Sequence, residues 1–124
     1  MTYSDVKTML DAVEISPNVS VPNAYYQFED DTGIIPPFIC FYFTGSRDVY
    51  ADNSNYQKID HLVVELYTKE KDFTLEAKLE GVLNSNGLTW SREETHLDDE
   101  RMYVEVYDMD VIITEIITED NGNA

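Results

Sequence analysis

Lys58-Ile59-Asp60-His61-Leu62-Val63-Val64-Glu65-Leu66-Tyr67-Thr68 is the stretch whose reading decides the fold. In an extended chain Leu62, Val64 and Leu66 share one face, and His61, Val63, Glu65 and Tyr67 share the other. The first face is core and the second is mixed. Lys69-Glu70-Lys71 is a turn, and Asp72 can cap a helix running to Asn86. Leu75, Leu79, Val82 and Leu83 form the apolar stripe of that helix, so Glu76, Lys78 and Glu80 are expected to face water. Asn84-Ser85-Asn86-Gly87 stops it, with Gly87 suited to the left-handed position. A strand hairpin from Leu88 to about Thr118 follows, its turn at Asp98-Asp99-Glu100. The first strand is Leu88 to Thr95 and carries Trp90. The second runs from Met102 to about Ile113, with Tyr103, Tyr107, Met109, Val111 and Ile113 on one side. Polar and apolar residues change sides near Asp108, which points to a bulge or a sheet edge.

Upstream, Ser4 can cap a first helix. Val6, Met9, Leu10 and Val13 then fall at i, i+3, i+4 and i+7, one apolar stripe over about three turns. Pro17 ends that pattern, and Pro22 keeps the connection extended. Ala24 to Phe28 is aromatic and short, a candidate strand, and Glu29-Asp30-Asp31-Thr32-Gly33 breaks it. Pro36-Pro37 introduces Phe38-Ile39-Cys40-Phe41-Tyr42-Phe43-Thr44, a continuous apolar run that reads as a central strand covered on both faces. Arg47 to Tyr56 is a polar, turn-rich connection anchored by Tyr50 and Tyr56, long for a hairpin and the segment best suited to touch a partner. The elements run α-β-β-α-β-β. That order predicts an α+β fold: a mainly antiparallel sheet of about four strands with both helices on one face. The other face would be polar or covered by a partner. Residues 1–118 form one domain, and 119–124 a flexible acidic tail.

The 124 residues hold 8 basic and 25 acidic side chains, a net charge of −17, and only Arg101 is basic among twelve charged residues from Glu93 onward. Such a chain does not grip a phosphate backbone, where affinity comes from Lys and Arg displacing counterions. It avoids anionic membrane surfaces for the same reason. No apolar run reaches the ~18 residues of a membrane span, and no basic region followed by an apolar run marks a signal peptide. Cys40, the lone cysteine, lies between Ile39 and Phe41 and reads as a small buried hydrophobe.

No catalytic residues, metal ligands or cofactor are expected. His61 and His96 are scattered, and one Cys with two His does not provide about four converging zinc ligands. Glu29-Asp30-Asp31 lacks the alternating ligand spacing of a calcium loop. Gly45-Ser46-Arg47-Asp48 lacks the second glycine of a nucleophile elbow, and no phosphate-binding glycine motif is present. The aromatic residues are more informative: nine Tyr, five Phe and one Trp. Tyr and Trp are enriched at protein interfaces because they bury area while keeping a polar handle. Tyr25, Tyr26, Tyr50 and Tyr56 lie outside the best core strands and are the candidates for contact.

Three stretches carry a resemblance: Tyr50-Ala51-Asp52-Asn53-Ser54-Asn55-Tyr56, the following HLVVELYTKEKDFTLEAKLEGVLNSNGLTW, and MYVEVYDMDV. Together, over residues 38 to 114, they resemble the tail terminator (tail-to-head joining) proteins of long-tailed bacteriophages and prophages. The string is distinctive but has no chemical signature. The resemblance implies a tail-terminator-like domain assembled as a ring, usually a hexamer. The ring caps the last ring of the major tail tube protein, stops elongation and meets the head connector or completion protein. DNA passes through its lumen without specific binding. It implies a place in the virion tail or neck, and in the host cytoplasm during assembly. It implies an interface at Tyr50, Asp52, Asn53 and Tyr56, and no enzymatic residues. An acidic lumen would repel DNA. The alternatives are another phage neck, head-completion or minor capsid protein, or an acidic binding module that inhibits a basic host partner.

Overall fold

The computed structural model describes residues 1–30, 32–46, 49–50 and 56–114, with only the backbone at 49, 50, 56 and 57. In chain order the elements are α1 (Tyr3–Asp11), β1 (Glu14–Ser16), β2 (Val19–Ser20), β3 (Asn23–Tyr25) and β4 (Phe38–Ser46). They continue as β5 (Val49–Tyr50), β6 (Tyr56–Thr68), α2 (Phe73–Ser85), β7 (Trp90–Leu97) and β8 (Met102–Ile113). The main sheet has the order β3-β4-β6-β8-β7, while β5 pairs with β6 off that path. β1 and β2 form a separate antiparallel pair.

The expected sheet of about four mainly antiparallel strands is therefore incorrect. The main sheet has five strands and is mixed, because β3 runs parallel to β4, Ala24 opposite Cys40. The order α-β-β-α-β-β leaves out β1, β2 and β5, and the candidate strand at Ala24 to Phe28 forms only as β3, each of the four two or three residues long. Strands that short carry no periodicity, and their pairing is set by the longer neighbour.

The apolar stripes packed as their spacing demands. Val6, Met9 and Leu10 of α1 and Leu75, Leu79 and Leu83 of α2 join Ile39, Phe41, Leu62, Val64, Leu66, Tyr107, Met109, Val111 and Ile113 in one core. All these strand residues lie on one face of the sheet, as the ladder pairs Phe41 with Val64, Val64 with Tyr107 and Leu62 with Met109. The run at Phe38–Phe43 is thus covered by helices on one face only, and β6 rather than β4 is the central strand. Fully burying side chains of this size contributes about 1.5–3 kcal/mol each before entropy is subtracted.

Local signals fix the helix ends. Thr2, not Ser4, caps α1: its hydroxyl accepts from the Asp5 amide and the Asp5 carboxylate accepts from the Thr2 amide. The Asp72 carboxylate accepts from the Leu75 amide at 3.0 Å and caps α2. Gly87, at φ +73°, turns the chain out of α2. In β4 the register shifts between Phe43 and Gly45, a bulge just before the strand ends. No bulge occurs at Asp108, because β8 pairs with β6 in unbroken register from Tyr103 to Ile113. The exchange of polar and apolar sides there has another cause: Glu105, on the helix face, belongs to a buried ion network.

Candidate partner-binding face

Alternation along the strands determines what the second face of the sheet presents. β4 contributes Phe38, Cys40 and Tyr42, and β6 contributes His61, Val63, Glu65 and Tyr67. β8 adds Val104, Val106, Asp108 and Asp110, opposite Tyr67, Glu65, Val63 and His61 in turn. Both helices pack on the opposite face. Even so, Cys40, Val63 and Val104 are each only 5% exposed. Aromatic rings lie over this surface in place of a second layer. Tyr26 stacks on Tyr42 with ring centroids 4.7 Å apart, and Phe38 stacks on Tyr67 at the same separation. Phe28 meets Phe38 edge-on at 5.5 Å.

Glu65 orders the array. Its carboxylate accepts from the Tyr42 hydroxyl at 3.0 Å and from the Tyr67 hydroxyl at 2.9 Å. Burial, and then the Glu65 carboxylate, push the Tyr42 phenol up to about 12 and the Tyr67 phenol higher still. The same two causes push the Cys40 thiol up to about 11, so the thiolate needed for nucleophilic chemistry is scarce at neutral pH. At the β4-distal side of this face His61 bridges two carboxylates, Nε2 3.0 Å from Asp108 and Nδ1 3.2 Å from Asp110. Its hydrogen bonds to Asp108 and then Asp110 raise its pKa, with burial opposing.

Of the residues the sequence singled out for contact, Asp52 and Asn53 lie outside the described residues. Tyr50 and Tyr56 are brought together as backbone partners in the β5–β6 ladder, and their side chains also fall outside the description. Tyr25 and Tyr26 are 51% and 60% exposed. Tyr26 joins the aromatic array by stacking, and Tyr25 meets Tyr26 edge-on at 5.7 Å. The sequence pattern places Phe38 and Tyr42 in the core and Tyr67 on the mixed face of its strand, and it singles out none of the three for contact. Their signal was present: Phe38 and Tyr42 share parity within β4, as Glu65 and Tyr67 do within β6.

A second polar constellation lies on the helix face. Glu76, expected in water, is 2% exposed, and Glu105 is fully buried. The α2 position of Glu76, one residue beyond Leu75, turns it toward the sheet where β7 and β8 bring Glu94 opposite Glu105. Lys71 Nζ reaches Glu76 at 2.7 Å and Glu105 at 3.2 Å, and also pairs with Glu94. Arg92 Nη1 lies 3.0 Å from Glu76, and the Tyr107 hydroxyl donates to Glu80 at 2.8 Å. Burial, reinforced by Glu94, pushes Glu105 up to about 7. Burial alone would lower the pKa of Lys71, but its three carboxylates more than reverse that. Oxygen atoms of Glu76, Glu94 and Glu105 lie within 4.8 Å of one another, close enough to hold a metal. The Lys71 ammonium already supplies the positive charge among them, so the chemistry of the donor set is that of a structural ion network. The larger clefts are lined by other residues.

No helix among the described residues is long and apolar enough to cross a membrane. No protein-family model matches the chain, and no curated protein matches it.

Proposed function

We propose that the protein is a non-enzymatic structural subunit of phage tail assembly. In this reading it is a tail terminator that caps the tail tube, stops its elongation and forms the tail side of the head–tail joint. The observation that carries the reading is the sheet face opposite the helices, where exposed Tyr26 is stacked on Tyr42 above a strand surface that neither described helix covers. A ring subunit needs such surface, because it must bury area against two neighbours and against the rings above and below. The net charge of −17 supports the same reading, since a like-charged lumen lets DNA slide through without holding it. The resemblance of residues 38 to 114 to tail terminators supplies the specific role.

The test is assembly on tail tubes. Purified protein added to polymerising tail-tube subunits should cap them as rings visible by electron microscopy and arrest their growth. Tyr50→Ala with Tyr56→Ala should leave the subunit folded and abolish capping. Tubes that elongate unchecked in the presence of the intact protein would overturn the assignment.

A further inference from the structure

Beside the open sheet face lies a cleft of about 410 Å³ that neither the core nor the ion network explains. Residues 26–30 and 32–34 form one side, and β4 and β6 form the other. Its walls are aromatic: Tyr26, Phe28, Phe38 and Tyr67. Its rim is acidic, with Glu29 and Asp30. Among the described residues no lysine or arginine lines it. Tyr26 is held at φ +71°, an unusual conformation for a bulky residue, while its amide donates to the Phe41 carbonyl at 2.8 Å. The chain leaves β3 there, and Tyr26 keeps its ring stacked on Tyr42.

Aromatic walls alone would accept any apolar group, and acidic side chains alone would attract any cation. Together they select a cation with a flat apolar face. The negative faces of Tyr and Phe rings attract a guanidinium, which stacks on them while its N–H fork reaches carboxylates. The cleft volume lies within the usual range of ligand sites, roughly 300–1,000 Å³.

We infer that this cleft is a receptor for an arginine side chain presented by a basic segment of a protein partner. The inference goes beyond the tail-assembly reading and does not depend on it. Charge complementarity supplies the approach, because a chain at −17 draws basic partners from a distance. The cleft supplies the register, fixing where one arginine of that partner seats. Glu29 and Asp30 are exposed, so they can be changed without disturbing the core.

The experiment uses a blocked heptapeptide of alternating glycine and arginine, and the same peptide with citrulline, a neutral isostere, in place of arginine. Binding is measured by calorimetry and mapped by amide NMR shifts on the full chain. The arginine peptide should shift Tyr26, Phe28, Phe38 and Tyr67, and the citrulline peptide should not. Glu29→Gln with Asp30→Asn should weaken binding about tenfold, whereas Asp99→Asn with Glu100→Gln should weaken it by less than about twofold. Both pairs remove the same charge, and the second lies at the β7–β8 turn. Equal weakening by the two pairs, shifts centred away from the cleft, or equal binding of the citrulline peptide would each overturn the inference.

Discussion

The Tyr26 ring lies 4.7 Å from the Tyr42 ring and within 11° of parallel to it, although Tyr26 lies just past the end of β3 and Tyr42 lies inside the neighbouring β4. The contact joins the short β3 edge to the aromatic surface of β4 and β6. That surface then continues through Tyr42, Glu65 and Tyr67 by hydrogen bonds and through Phe38 by stacking. The open face is therefore a connected layer one side chain thick, anchored on a carboxylate.

Replacing Tyr67 by Phe tests that anchor. The variant keeps the stack on Phe38 but removes one donor from Glu65. Stability to urea should fall by about 1 kcal/mol, the usual net value of such a bond. Tyr42→Phe should cost a similar amount. The double variant should cost more than the sum, because the carboxylate would then lose both donors.

Lys71→Met tests the ion network. It leaves Glu76 and Glu105, both buried, without their shared ammonium. Removing one partner from a buried charge cluster costs about 3–5 kcal/mol. Lys7→Met is the control. Lys7 pairs with Asp11 one helical turn away, both side chains half exposed, and such pairs contribute at most about 0.5 kcal/mol. Equilibrium unfolding of the two variants should differ accordingly.

Glu105→Gln should flatten part of the pH–stability curve. The folded-state pKa of Glu105 is raised from 4.5 to about 7. Its contribution is therefore fully present below about pH 4.5 and is lost as the pH rises toward and through 7. Glu94 behaves oppositely: Lys71 first, then Glu105, lowers its pKa, so its contribution is lost only in acid. Unfolding free energies of the intact protein minus those of the variant should decline between pH 4.5 and 7.

His61 gives a spectroscopic test. Its imidazole should titrate above 6.5, and Asp108→Asn should bring it down, since that carboxylate is the largest contributor. The raised value means that the pairing helps the fold below pH 6.5 and stops helping as the pH rises through the folded pKa. Two-dimensional NMR of the ring protons follows both.

Much of this architecture is visible in the residue pattern. Alternation in Leu62, Val64 and Leu66, the cap at Asp72 and the stop at Gly87 are local signals, and the chain obeys them. What local pattern does not carry is pairing. The three residues of β3 show no period, and their parallel course beside β4 depends on where the chain returns after Tyr26. The burial of Glu76 is hidden for the same reason. A charge next to a helix stripe reads as solvated until the ladder sets Glu94 opposite Glu105 and Lys71 closes over all three. The contact residues were half visible: Tyr26 stood out, whereas Tyr42 and Phe38 sit inside an apolar run whose two faces look alike in one dimension.

Among the described residues the outer strand β7 pairs with β8 alone, and it carries Arg92, Glu93, Glu94 and His96 along a largely exposed course. Charged side chains along a sheet border discourage another chain from docking its backbone there. At high concentration, copies of this protein are thus shielded along that border from zippering into open-ended fibrils. The opposite border, β3, is only three residues long, so it exposes few backbone groups to a neighbouring chain.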